Sequence, residues 1–136
     1  MNTYQNALNL LGRLLIVALF LPAGLSKLTG FEGTVGYFGS LGLPVATLAV
    51  AVAIIAEVLG GIALLVGFQT RIVAILLAIF TLAASIAGHA FWAAPADAAF
   101  IQQLLFLKNI AVIGGLLVLA SAGAGKFSID GYKQSN

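Results

Sequence analysis

Arg13, Lys27, Glu57, His89 and Lys108 are ionisable residues set inside, or at the ends of, stretches otherwise apolar enough to dissolve in lipid. A lysine ammonium and a histidine N–H donate hydrogen bonds to carbonyl oxygens, and Phe91 and Trp92, just after His89, offer faces on which a ring can stack. Charge at membrane depth costs several kcal/mol, so such groups face a bundle interior, a partner or a water-filled cavity. The chain has only 6 Lys and Arg and 4 Asp and Glu, so placing four of them there requires a reason. With Asn109 beside Lys108, these residues are the candidate ligand-binding set: His89, Lys108, Asn109, Trp92, Phe91 and Lys27. Arg13 and Glu57 are expected to form a buried ion pair.

The elements that hold these groups follow from composition. A chain of 136 residues that is 62% hydrophobic and 7% charged is not an ordinary soluble domain, in which about a quarter of residues are charged. Its basic residues are scattered along apolar segments and form no patch, which argues against nucleic acid despite a net charge of +2. The absence of cysteine removes disulfides, thiolate zinc and iron–sulfur ligation together. One histidine rules out bis-histidine haem and leaves little basis for a transition-metal site. The sequence reveals no redox cofactor of its own.

About 20 apolar residues cross a bilayer core, and segments at approximately 8–28, 44–67, 72–92 and 100–120 reach that length, followed by a polar tail at 121–136. The expectation is one all-α domain, an integral membrane four-helix bundle in contact with the lipid bilayer. The first segment also has the outline of a signal peptide, with Arg13 before LLIVALFLPAG, although its removal would leave Glu57 without a partner. Arg13, Arg71, Lys126 and Lys133 flank one side and Lys27 alone the other, so both termini are expected in the cytoplasm, with the Gly/Pro-rich loops outside.

Helical spacing sorts the polar residues into faces. Arg13, Phe20, Gly24 and Lys27 share a stripe, as do Thr81, Ser85 and His89; Gly60 and Gly61 lie one turn after Glu57; Lys108 faces with Gly115, and Gln102 with Asn109. Small residues at such positions let neighbouring helices approach closely. At a rise of about 1.5 Å per residue, Arg13 and Glu57 fall level near roughly 20 Å depth. Lys108 falls near roughly 13 Å, with His89, Lys27 and Trp92 close to the outer interface. Pro22 frees the carbonyl of Ala18 and is either a kink that widens the outer half or an ordinary membrane proline. The two hairpins echo each other in Arg13 and Arg71, Lys27 and His89, and Gly60-Gly61 and Gly114-Gly115, although the spacings differ.

Each residue also has a plainer reading. The Arg13–Glu57 pair would fix helix register, Lys27 would snorkel to headgroups, Trp92 would be an interfacial anchor, and His89 a hydrogen-bonded structural residue. Lys108 resists this treatment. It lies mid-span with no carboxylate one turn away, so its charge must be met by Glu57, by Asp97 or by a ligand.

The runs RLLIVALFLPAGLSKL, AEVLGGIALLVGFQTR, GHAFW, FLKNIAVIGGLLVLA and GKFSID together resemble the DoxX family of small membrane proteins. The resemblance covers nearly the whole chain. It implies a four-helix bundle in the bacterial inner membrane and a link to quinone chemistry. Relatives include a small subunit associated with thiosulfate:quinone oxidoreductase or a terminal quinol oxidase, and proteins connected with tolerance of catechols and quinones.

The leading functional expectation is a quinone, quinol or related aromatic bound in the outer half of the bundle, with electrons supplied by a soluble oxidoreductase partner or the quinol pool. The alternatives are a non-catalytic subunit that anchors such an enzyme, and a small multidrug-type exporter, which shares the outline of four spans and one buried glutamate. Association of the bundle with itself is permitted by its small-residue faces.

Overall fold

The computed structural model describes all residues from Met1 to Asn136 and is entirely helical. Four helices have the length and apolarity to cross a bilayer: α1 (Thr3–Thr29), α3 (Ala46–Val66), α4 (Thr70–Gly88, extended through a short turn to Ala93) and α5 (Ala99–Ala122). A further helix, α2 (Phe31–Ser40), follows α1 after a single residue, and α6 (Ile129–Ser135) closes the chain. Spanning helices satisfy their backbone groups internally, which the hydrocarbon core demands. An even number of crossings places both termini at one end of the bundle, called here the terminal end; α2 and the α4–α5 turn form the far end.

Only 21 of 136 residues are buried, while Leu15, Leu48, Leu76, Ile79 and Val118 are each at least 60% exposed. An outer surface of leucine and isoleucine is stable only with lipid as solvent. The core is a modest cluster in which Val17 and Phe20 of α1 meet Leu64 of α3, Ala74, Leu77 and Ala78 of α4, and Leu116 and Leu119 of α5. α1 pairs with α3, and α4 runs beside α5 along most of its length. The pairs join through the terminal half of α3 against α4, where Gly60 abuts Leu77 and Gly61 abuts Leu21 of α1. These are the close approaches expected of Gly60 and Gly61. Gly114 and Gly115 differ, having no atom of another element within 4 Å of a would-be Cβ.

The terminal end is tied together by the two arginines. Arg13 is fully buried, and its guanidinium donates to the carbonyls of Leu64 (3.0 Å) and Leu65 (3.2 Å), to Phe127 of the tail, and through Nε to Asn9 (3.2 Å). The last carbonyls of a helix lack intrahelical partners and carry its negative dipole end, so a guanidinium satisfies both needs at once. Arg71 repeats the device on the other pair, donating to the carbonyls of Ala120, Ser121 and Ala122 at the end of α5.

The segment 121–136, read from sequence as a polar tail, is folded. Lys126 donates its N–H to Asn6 (2.7 Å), Asp130 donates to the carbonyl of Gly67 (2.9 Å), and the Lys133 ammonium lies 5.1 Å above the Phe68 ring. Gly67 ends α3 at φ +68°, and a side chain there would strike Ser128 and Arg13. The Asp130 carboxylate accepts from the backbone N–H of Gln69 (2.9 Å) and Thr70 (2.8 Å), capping the start of α4. Partial burial acts to raise the Asp130 pKa. The hydrogen bonds from Thr70 and Gln69 and the nearby Lys133 outweigh it, so the carboxyl sits below its ordinary range.

The far end departs from expectation. The glycine-rich segment read as a loop contains α2, although Gly33, Gly36 and Gly39 weaken it. α1 runs unbroken through Pro22, in keeping with the reading of it as an ordinary membrane proline. α3 contains a π-helical turn at Ile55–Leu59, with Glu57 at its centre.

Two outcomes follow. Asp130→Ala should lower stability at neutral pH by about 1–2 kcal/mol, the worth of hydrogen bonds to a charged acceptor. Because the folded-state pKa is depressed, this contribution is complete above the ordinary carboxylate range and lost as pH falls through the depressed value. Melting in detergent should therefore show the wild-type and variant curves converging in acid. Gly24→Ala places a Cβ 2.7 Å from Val58 Cγ2 and 3.0 Å from the Val58 backbone nitrogen. It should destabilise the α1–α3 contact by about 1–3 kcal/mol in the same assay.

Candidate functional site

Glu57 is paired with Lys27, not with Arg13. The Lys27 ammonium donates to both carboxylate oxygens, at 2.9 and 3.2 Å. The expected Arg13–Glu57 pair is thus corrected, and the reason lies in helix offsets. α3 runs antiparallel to α1, and Gly24 touches Glu57 and Val58, while Arg13 lies level with Leu64 and Leu65 near the opposite end. Counting depth from the helix ends assumed that both ends lie in one plane. In the structure Glu57 is 11 residues from the start of α3, yet it lies beside Gly24, 5 residues from the end of α1. Both residues are nonetheless buried, at 0% exposure for Arg13 and 7% for Glu57.

The approach that brings Glu57 to Lys27 depends on Gly24, because a would-be Cβ there lies 2.8 Å from Glu57 Cβ. The π-helical turn widens α3 at the same point. Such turns recur at functional sites, and nothing in AEVLGG announces this one.

On the other helix pair, polar side chains form rungs between α4 and α5. Asn109 donates to the Ser85 hydroxyl at 2.9 Å, and His89 Nδ1 is 2.8 Å from the Gln102 carbonyl oxygen. With that oxygen as acceptor, Nδ1 carries a proton, and in the neutral ring Nε2 then keeps a lone pair. Ser85 and Thr81 turn their own hydroxyls back to the carbonyls of Thr81 and Leu77 one turn earlier. Of the expected stripe, Ser85 and His89 are thus joined to α5, while Thr81 bonds to its own helix.

Between the two helix pairs, in the far half, lies a cavity of about 590 Å³. It is bounded by α1, α2, the first half of α3, α4 and α5, and 16 of its 24 lining residues are hydrophobic. The polar lining includes Lys27, Glu57, His89, Lys108 and Asn109. The structure thus gathers four of the six expected binding residues around one space and adds Glu57 to them. Phe91 and Trp92 lie outside it. They form an edge-on cluster with Phe106, with ring centroids 5.2 to 5.6 Å apart, and Trp92 is 58% exposed, as an interfacial anchor would be. The aromatic lining comes instead from Phe20, Tyr37, Phe38 and Phe80, of which Tyr37 and Phe38 belong to the helix that sequence reading missed.

Apolar walls with a few convergent polar groups are the usual form of a small-molecule site. Aromatic side chains can flank a ring, the Lys108 ammonium can donate, and His89 Nε2 and the Asn109 side-chain carbonyl can accept.

The DoxX family model matches residues 8–90. The chain belongs to the DoxX family. It is 38% identical to inner membrane protein YphA of Escherichia coli (strain K12) over 121 residues, which make up 89% of this chain and 86% of that protein. It is 39% identical to inner membrane protein YqjF of the same organism over 121 residues, 89% of this chain and 88% of the relative. A protein named "Putative oxidoreductase CatD" of Bacillus subtilis (strain 168) is 43% identical over 77 residues, 57% of this chain and 56% of its own length. No solved structure matches the chain. This DoxX-family chain is a multi-pass protein of the bacterial inner membrane.

The Lys27–Glu57 pair yields an asymmetric prediction. The Lys27 side chain is 23% exposed and that of Glu57 10%. Lys27→Ala strands the deeper carboxylate and should cost about 2 kcal/mol, less than the loss from a fully buried pair. Glu57→Ala should cost less, because the freed lysine can extend towards the interface. Denaturant unfolding of both single variants and the double variant in micelles would test this order, and a larger loss for Glu57→Ala would contradict it.

Proposed function

We propose that this DoxX protein binds a quinone, quinol or related oxygenated aromatic in the far-half cavity and exchanges it with a redox partner. The observation that carries the reading is the cavity itself. It is large enough for a ring with substituents, and it sets Lys108, His89 and Asn109 against Phe20, Phe38 and Phe80. The fit is chemical as well as spatial: ring oxygens need donors and acceptors at the edge of an apolar slot, and the lining supplies both. A bound quinone would supply the capacity to take up two electrons and two protons on becoming a quinol. The chain's own residues would hold the ring and keep water from it. The oxidoreductase name of CatD supports a redox setting, in which electrons come from a soluble oxidoreductase or from the membrane quinol pool.

Orientation belongs to the same proposal. Arg13, Arg71, Lys126 and Lys133 gather at the terminal end, and of the chain's lysines and arginines only Lys27 sits close to the far end. The positive-inside rule then puts both termini in the cytoplasm and the cavity in the outer half of the membrane. The basic lining works against a lipophilic cation, so export of cationic drugs is a poor match for this site.

The test is a titration of the purified protein in nanodiscs with a soluble naphthoquinone, followed by quenching of Trp92, with empty discs as the partitioning control. The expected result is saturable quenching that weakens about tenfold or more in a Lys108→Ala/His89→Ala double variant of intact fold, as loss of two polar contacts implies. Equal, non-saturating quenching in both proteins would remove the reading.

A further inference from the structure

We propose that the cavity selects ring compounds that carry a negative charge, an ionised hydroxyl or acid group on the ring, and that the Lys108 ammonium is the counter-charge. This rests on the ring-binding reading above and narrows its ligand class.

Five elements face the cavity. α1 contributes Lys27, α2 contributes Tyr37, α3 contributes Glu57, α4 contributes His89, and α5 contributes Lys108. Both oxygens of Glu57 are taken by Lys27, and this is the only ion pair in the chain. His89 is held through Nδ1 by Gln102, and Asn109 through its amide by Ser85. Asp97, in the turn between α4 and α5, forms no ion pair. Of the acceptors that sequence alone offered to Lys108, one is therefore committed and the other absent. Lys108 makes no hydrogen bond and no ion pair; its side chain is exposed to the cavity it lines, and it is the surplus charge of a lining in which 16 of 24 residues are hydrophobic.

Two ordinary ways of relieving such a charge are closed by position. Lys108 is the tenth residue of α5, about 13 Å below the far end of that helix, which exceeds the reach of a snorkelling side chain. The same depth keeps lipid phosphates away, since they lie outside the hydrocarbon core. A neutral quinone carbonyl accepts a hydrogen bond but leaves the charge uncompensated. An anionic oxygen on the same ring accepts the hydrogen bond and also compensates the charge, and such charge-assisted hydrogen bonds are about twice as strong as neutral ones.

The experiment compares two ligands of nearly identical shape on the wild-type protein in zwitterionic nanodiscs at neutral pH, with empty discs as the partitioning baseline. One is 2-hydroxy-1,4-naphthoquinone, which is ionised; the other is its 2-methoxy ether, which is neutral. The hydroxy compound should bind about tenfold tighter or better, as a paired charge implies. Lys108→Met should bring the two affinities together, and Lys108→Arg should retain the preference. The ligand comparison needs no variant, so it stands even where a substitution fails to fold. Equal affinity, or tighter binding of the ether, would overturn the charge selection and leave the ring site in place. Saturable binding of neither ligand would overturn both.

Discussion

The guanidinium of Arg13 is the interaction on which the architecture depends. It has no acidic partner within the bundle and uses three carbonyl oxygens and one side-chain amide instead. Those carbonyls belong to the last turn of α3 and to the tail, so one side chain on α1 holds three segments. A carboxylate in this place would bring a second charge to desolvate, whereas helix-end carbonyls need a donor in any case. The opposite end has no comparable clamp. α3 diverges from α4 beyond its π-helical turn, and the space between them becomes the cavity. A closed end and an open end are two results of one distribution of hydrogen bonds.

The hairpins carry this distribution twice. Arg13 and Arg71 each sit near the start of a hairpin's first helix and satisfy the terminal carbonyls of the second. Lys27 and His89 each sit near the other end of that first helix and reach across to a side chain of the second, Glu57 or Gln102. The echo visible in sequence is therefore a shared set of contacts, made at different spacings because one hairpin carries a π-helical turn and an extra helix. It stops at the glycines. Gly60 and Gly61 are packed against neighbours, and Gly114 and Gly115 are not.

Much of this was legible in the residues, for identifiable reasons. Period and length fixed the four spans, and small-residue spacing placed Gly24 and Gly61 at helix contacts. The cost of charge in lipid marked Arg13 and Glu57 as buried. What sequence did not yield was offset. The pairing of Glu57 depended on how far α3 slides along α1, which is set by the tail, by α2 and by the π-helical turn, none of which has a periodic signature. α2 was hidden by its glycines, and with it went Tyr37 and Phe38, the part of the cavity wall that nothing in their spacing foretold. Phe91 and Trp92 were drawn towards the site by adjacency to His89, yet the turn after Gly88 sends them the other way to meet Phe106.

The acceptors of Arg13 also impose an order of events. Leu64 and Leu65 lie 51 and 52 residues after it, and Phe127 lies 114 residues after it. A chain made from its N-terminus inserts α1 with Asn9 as the one local acceptor for the guanidinium, gains two more once α3 is laid down, and gains another when Phe127 arrives. Until then the first helix holds a charge at membrane depth that must draw on water or headgroups. The carbonyl of Phe127, in the tail, completes the set of acceptors and releases the first helix from that dependence.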